Sequence, residues 1–232
     1  MPFSTRALAV TIALVAQVAF ARAEEVVRIV GSTPLTFAIP SGHCLLEETN
    51  ARDAIFIRNI ATLLRNANNK LILVSFECGR RAAWRDGKGP IYDYATYYLP
   101  DNVESQVYDG EAQALRKGLC DDMRKQGDAT LAPVKDMVAN AAKELNSKVA
   151  VNSTKLIGVV GEDQHGCYVA LLVGVHGNDG KNFLMSTLVT STVVHGKAIF
   201  MGNYHEYKGP ETTERSLREA KATAAAFDAV NP

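Results

Sequence analysis

Residues 155–207 read KLIGVVGEDQHGCYVALLVGVHGNDGKNFLMSTLVTSTVVHGKAIFMGNYHEY, and this stretch decides the fold. Four apolar, β-branched runs at 155–160, 167–175, 182–194 and 197–207 follow one another with no helical segment between them. His176-Gly-Asn-Asp-Gly180 and His195-Gly196 have the composition of tight hairpin loops. Parallel strands need a crossover of about a dozen residues or more, usually a helix, so these four are expected to form an antiparallel meander.

Working outward, residues 211–230 close the chain as a helix entered after Gly209-Pro210, with Leu217, Ala220, Ala224 and Phe227 on one stripe. Upstream, the pattern predicts helices over 102–126 and 130–146, joined around Gly127-Asp128. A further helix is expected over 53–66, where Ile57, Ile60 and Leu64 recur at helical spacing. The dense run Leu71-Ile72-Leu73-Val74 marks a strand over 70–77 buried on both faces. Residues 90–99 form a tyrosine-rich strand, and 26–30 with 35–39 form two short strands around a turn at 31–34. The expected fold is α+β: an antiparallel sheet with a C-terminal meander, flanked by helices as in an α/β/α sandwich, in one domain over 24–232.

Residues 1–23 have the form of a signal peptide. Arg6 precedes an apolar stretch over 7–21 broken only by Thr11 and Gln17, and Ala21-Arg22-Ala23 is a small-x-small cleavage pattern. The chain carries 25 basic and 25 acidic residues; removing 1–23 takes away Arg6 and Arg22 and no acid, leaving the mature form near neutrality. No general field concentrates nucleic acid, and no membrane span is expected after cleavage. The expected location is the periplasm or the extracellular medium.

Export turns Cys44, Cys78, Cys120 and Cys167 into two expected disulfides. Of three possible pairings, Cys44 with Cys78 and Cys120 with Cys167 ties neighbouring elements. Zinc is the alternative, through His43-Cys44 and His165/Cys167, but the C-x-x-C and H-x-x-x-H spacings are absent. A Cys44 nucleophile activated by His43 is disfavoured too, since adjacent side chains in extended chain point apart.

The opening F-A-I-P-S-G-H-C at 37–44, then a helix, a buried strand and a meander closed by a helix, resembles the α/β/α arrangement of Mog1/PsbP-like proteins. P-x-G-x-C at 40–44 and T-V-V-H-G-K at 192–197 also resemble an uncharacterised group of exported proteobacterial proteins. The first resemblance implies a non-enzymatic binding or assembly module.

No G-x-S-x-G, Walker loop, H-E-x-x-H, EF-hand loop or G-x-G-x-x-G occurs. Three candidate sites follow from the residues. Tyr92, Tyr94 and Tyr98 are expected on one strand face, opposite Tyr97, as a ring surface for glycan or peptide. Glu162, Asp163 and His165 gather two carboxylates and an imidazole suited to acid-base or cation chemistry. His195 and His205-Glu206 stand at ends of the last two strands, where imidazoles can titrate. The function expected is an exported, non-enzymatic binding or accessory protein of the bacterial envelope, without cofactor, its partner a protein or small ligand there. The alternative is an exported hydrolase or metal-dependent enzyme using the Glu162/Asp163/His165 cluster.

Overall fold

The computed structural model describes residues 24–89, 92–127, 132–146, 148–177 and 180–232, so the expected signal segment lies outside it. The meander forms as expected: β6 (Ala150–Glu162), β7 (Cys167–His176), β8 (Asn182–Val194) and β9 (Lys197–Glu206) pair in sequence order. The β8–β9 loop is His195-Gly196 with φ of 48° and 71°, the two positive values of a type I′ turn. A Cβ on Gly196 would lie 2.5 Å from the Tyr108 carbonyl oxygen, so glycine is required there twice over.

β9 then pairs with β5 (Tyr94–Pro100), β5 with β4 (Asn69–Glu77), and β4 with the short β3 (His43–Leu45). The result is a seven-stranded antiparallel sheet of order β3-β4-β5-β9-β8-β7-β6; β1 (Glu25–Val30) and β2 (Thr33–Ala38) form a separate hairpin. Among the described residues the fold is α+β, with helices flanking the sheet.

One sheet face packs against the long helix α5 (Pro210–Ala229) and the β1–β2 hairpin. Leu35 and Phe37 of the hairpin, Tyr97 of β5, Ile199 and Met201 of β9, and Ala224 and Phe227 of α5 share one buried core. Phe37 stacks on Phe227 at 5.1 Å and meets Tyr97 edge-on at 5.0 Å. Burying each such ring contributes about 1.5–3 kcal/mol. The other face meets α1 (Ala51–Arg65) over β4 and α3 (Ala112–Gln126) over β6–β8, with α4 (Ala132–Glu144) beside β6 and α1. Asn50 caps α1, its side chain accepting from the Arg52 and Asp53 amides. A five-residue helix, α2 (Arg81–Arg85), follows β4, and its Arg85 pairs with the fully buried Asp53 of α1.

Both expected disulfides are present. Cys44–Cys78 joins β3 to the residue following β4, and Cys120–Cys167 pins α3 to β7. Closing loops of 34 and 47 residues is worth about 4 kcal/mol each on the chain-entropy view. No helix among the described residues is long and apolar enough to cross a membrane.

Boundaries differ from the sequence pattern at α3, at β5 and at β6, which reaches back to Ala150 instead of starting at 155. α3 begins at Ala112 rather than 102, because residues 104–108 are tied to the start of β9 instead of to one another. The buried Lys197 donates to the carbonyls of Glu104 and Gln106 at 2.8 and 2.7 Å, and the Tyr108 amide donates to the Gly196 carbonyl. β5 starts at Tyr94, not 90. β3, three residues long, has no sequence periodicity of its own and exists through its ladder with β4.

Candidate functional site

Alternation along β9 sends Ile199, Met201 and His205 to the α5 side of the sheet. The chain then turns through Gly209, whose carbonyl accepts the Thr212 amide, and Pro210 starts α5 back across the sheet. Arg215 and Glu219, one helical turn apart, therefore arrive over the His205 ring. Register brings the other neighbours: Ser186 of β8 stands opposite His205, and Asp93 immediately precedes β5.

The ring is almost fully buried and surrounded by charge. Its Nδ1 lies 3.2 Å from Asp93 Oδ1 and 2.9 Å from Arg215 Nη2, and its Nε2 lies 3.0 Å from Glu219 Oε2. Arg215 itself lies 3.9 Å from Asp93 and 3.7 Å from Glu219. On β3, His43 Nδ1 is 3.4 Å from the hydroxyl of the buried Ser75. Burial opposes a charge on His205, but the hydrogen bond to Asp93 and the nearby Glu219 carboxylate outweigh it and hold the imidazole above its ordinary pKa. Burial dominates at His43 and pushes it down. Asp93 is held below the usual carboxylate range by His205, with help from Arg215 and the Glu206 amide. Burial works against ionisation of Glu219 too, and His205 again wins, lowering it.

A cleft of about 200 Å³ opens at this end of the sheet. Arg80, Lys208 and Arg215 line it together with Asp93, Glu206 and Glu211, and the Tyr92 ring forms one wall. Lys208 lies 3.6 Å from Glu206, whereas Arg80 makes no ion pair among the described residues. The chain's one tryptophan, Trp84, lines an adjoining crevice that shares Arg80, Tyr92 and Asp93. A charged, partly enclosed recess of this kind can hold a small polar ligand by fork-like guanidinium contacts.

The residues singled out from sequence lie in four places. Tyr94 and Tyr98 do share one face of β5, opposite the buried Tyr97. They are half-buried on the α1 side, Tyr94 stacked on Tyr204 at 4.3 Å and edge-on to Phe56, Tyr98 stacked on Phe200. Burial raises both phenols. Tyr92 is the correction: it precedes the strand instead of extending it, and its ring rests 5.1 Å from Phe183 at the cleft. The strand stops short of it, so the expected row of three rings on one strand is a pair plus a cleft residue.

Glu162, Asp163 and His165 occupy the β6–β7 turn but face different ways. Glu162 pairs with Arg124 of α3 at 2.7 Å. Asp163 accepts from the His165 and Gly166 amides and the Tyr168 hydroxyl, which closes the turn; burial resists its ionisation, and these donors lower its pKa nonetheless. His165 Nδ1 meets Asp228 of α5 at 2.7 Å. No group of three His, Cys, Asp or Glu side chains is gathered as a metal site among the described residues. His195 sits in its hairpin turn, with Nε2 3.1 Å from the Pro232 carbonyl.

Sequence reasoning marked His205-Glu206 and Tyr92 but missed Asp93, Arg215 and Glu219. The only local signal was the Arg215/Glu219 spacing on a helix expected to pack against the meander. Compared with known proteins, the chain matches no family model and no curated protein.

Proposed function

We propose that the protein is an exported, non-enzymatic binding or accessory protein of the bacterial envelope, with its ligand site in the cleft beneath the start of α5. The observation that carries this reading is the cleft itself: Arg80, without an ion-pair partner among the described residues, lines it with further charges of both signs beside a buried histidine. Isolated clusters of perturbed titratable groups in a recess are where binding sites concentrate. The two disulfides support export, because such bridges persist in oxidising compartments. The order of elements, with its resemblance to Mog1/PsbP-like proteins, supports a module that binds.

The test is chemical-shift mapping of isotopically labelled protein on adding a small-molecule extract of bacterial envelopes. Shifts concentrated at Arg80, Trp84, Asp93 and Arg215, and lost in Arg80→Glu, support the site. Shifts centred on another surface, or unchanged by Arg80→Glu, overturn it.

A further inference from the structure

We infer that the cleft takes a small zwitterion, an amino acid or short peptide, and that the His205 proton sets its affinity by deciding whether Arg215 is held by the ring or offered to the ligand. This rests on the cleft being the ligand site, as proposed above.

Size and charge give the ligand class. A volume of about 200 Å³ lies below the roughly 300–1,000 Å³ of pockets for drug-sized ligands, so the cleft suits a small molecule. A multiply charged anion such as phosphate would meet Asp93, Glu206 and Glu211 as well as the three bases. A ligand with one carboxylate and one ammonium satisfies both signs. The carboxylate matches a guanidinium fork, the ammonium a side-chain carboxylate, and Tyr92 covers an apolar flank.

The proton linkage follows from one atom with two partners. Nδ1 of His205 is within reach of Asp93 Oδ1 and of Arg215 Nη2. It can donate to the carboxylate or accept from the guanidinium, but not both. In the charged ring Nδ1–H donates to Asp93 and Nε2–H faces Glu219, while the like charge repels Arg215 toward the cleft. In the neutral ring the proton stays on Nε2, Nδ1 accepts from Arg215, and Asp93 is left as an added negative charge in the recess. The ligand carboxylate therefore binds the charged-ring form better. The other groups facing the ring do not compete: Ser75 and Ser186 are uncharged, and His43, held down by burial, stays neutral while His205 titrates. By reciprocity a bound zwitterion must raise the His205 pKa further.

Calorimetry with L-alanyl-L-alanine at about pH 5.5 and about pH 7.5 tests this, with binding expected to be about fivefold tighter or more at the lower pH. In His205→Gln the dependence should flatten to within about twofold. Arg215→Gln, at an exposed position, should lose affinity and pH dependence together, and it serves if the histidine variant does not fold. Any titration of the probe's own amine persists in both variants and is subtracted. Equal wild-type affinity at the two pH values overturns the linkage, and inorganic phosphate binding more tightly than the dipeptide overturns the ligand class. Absence of dipeptide binding also overturns the ligand class, while the extract mapping above judges the site separately.

Discussion

Two histidines fasten α5 to the sheet in different surroundings. In the β6–β7 turn His165 meets Asp228 near the helix C-terminus, and both side chains are about one-quarter exposed. Nearer the N-terminus His205 meets Glu219 and Asp93 with its own side chain only 4% exposed. The chemistry is the same, an imidazole against carboxylate, but water reaches both members of the first contact, whereas at the second it reaches the carboxylates and not the ring. Burial thus makes one contact a latch between a turn and a helix, and the other a group whose proton is felt by everything around it, including the cleft.

The disulfides offer the largest perturbation of that contrast. Cys120→Ala/Cys167→Ala should cost about 4 kcal/mol in denaturant unfolding and disturb the His165 turn two residues away, leaving the His205 titration in place. Cys44→Ala/Cys78→Ala should cost a similar amount, about 4 kcal/mol, yet move the His205 midpoint, because β3 holds His43 in this charge cluster. A midpoint that moves in the first variant and not the second would break the assignment of the two regions. Thiol titration of denatured, unreduced wild type should find no free cysteine.

Next in size are the histidines themselves. His205→Ala leaves Asp93 and Glu219 with the longer Arg215 contacts in place of the imidazole between them and should destabilise by about 2–3 kcal/mol. His165→Ala should cost under about 1 kcal/mol, as for a solvent-screened pair. Equal losses in urea unfolding would erase the distinction.

The smallest expected effect, on the order of 1 kcal/mol, is the pH profile of stability. His205 is raised on folding, so its contribution is complete below the ordinary imidazole pKa and is lost as pH rises through the folded value. Asp93 and Glu219 are lowered, so theirs is complete above the ordinary carboxylate range and is lost as pH falls through their folded values. The contact is therefore strongest between about pH 4.5 and 6.5. His43, lowered by burial, has the opposite sign to His205 and loses its contribution as pH falls. Unfolding midpoints across pH should show the acid-side rise sharpen in His43→Gln and vanish in His205→Ala.

Much of the scaffold is legible in the sequence because its signals are local. The four-strand run, the His195-Gly196 turn and the Gly209-Pro210 helix start depend on residues within a few positions of one another. The preferred cysteine pairing was legible at one remove, through the elements it joins. The failures are where distant residues decide: Lys197 recruits residues 104–106 away from α3, and β4 creates β3. The site belongs to the same class. His205 and Asp93 are 112 positions apart and meet only because β9 pairs with β5 instead of remaining at the edge of its meander. Glu162, Asp163 and His165, close in sequence, are divided between Arg124 of α3 and Asp228 of α5, since neighbours at a strand end project to opposite faces.

The most direct measurement is an NMR titration that follows the imidazole signals of His205 together with the Arg215 guanidinium Nε–H. The account predicts a His205 midpoint above the ordinary imidazole value of about 6.5, with the Arg215 signal moving at that same midpoint. A His205 midpoint at or below the ordinary value, or an Arg215 signal that stays fixed while His205 titrates, would contradict it.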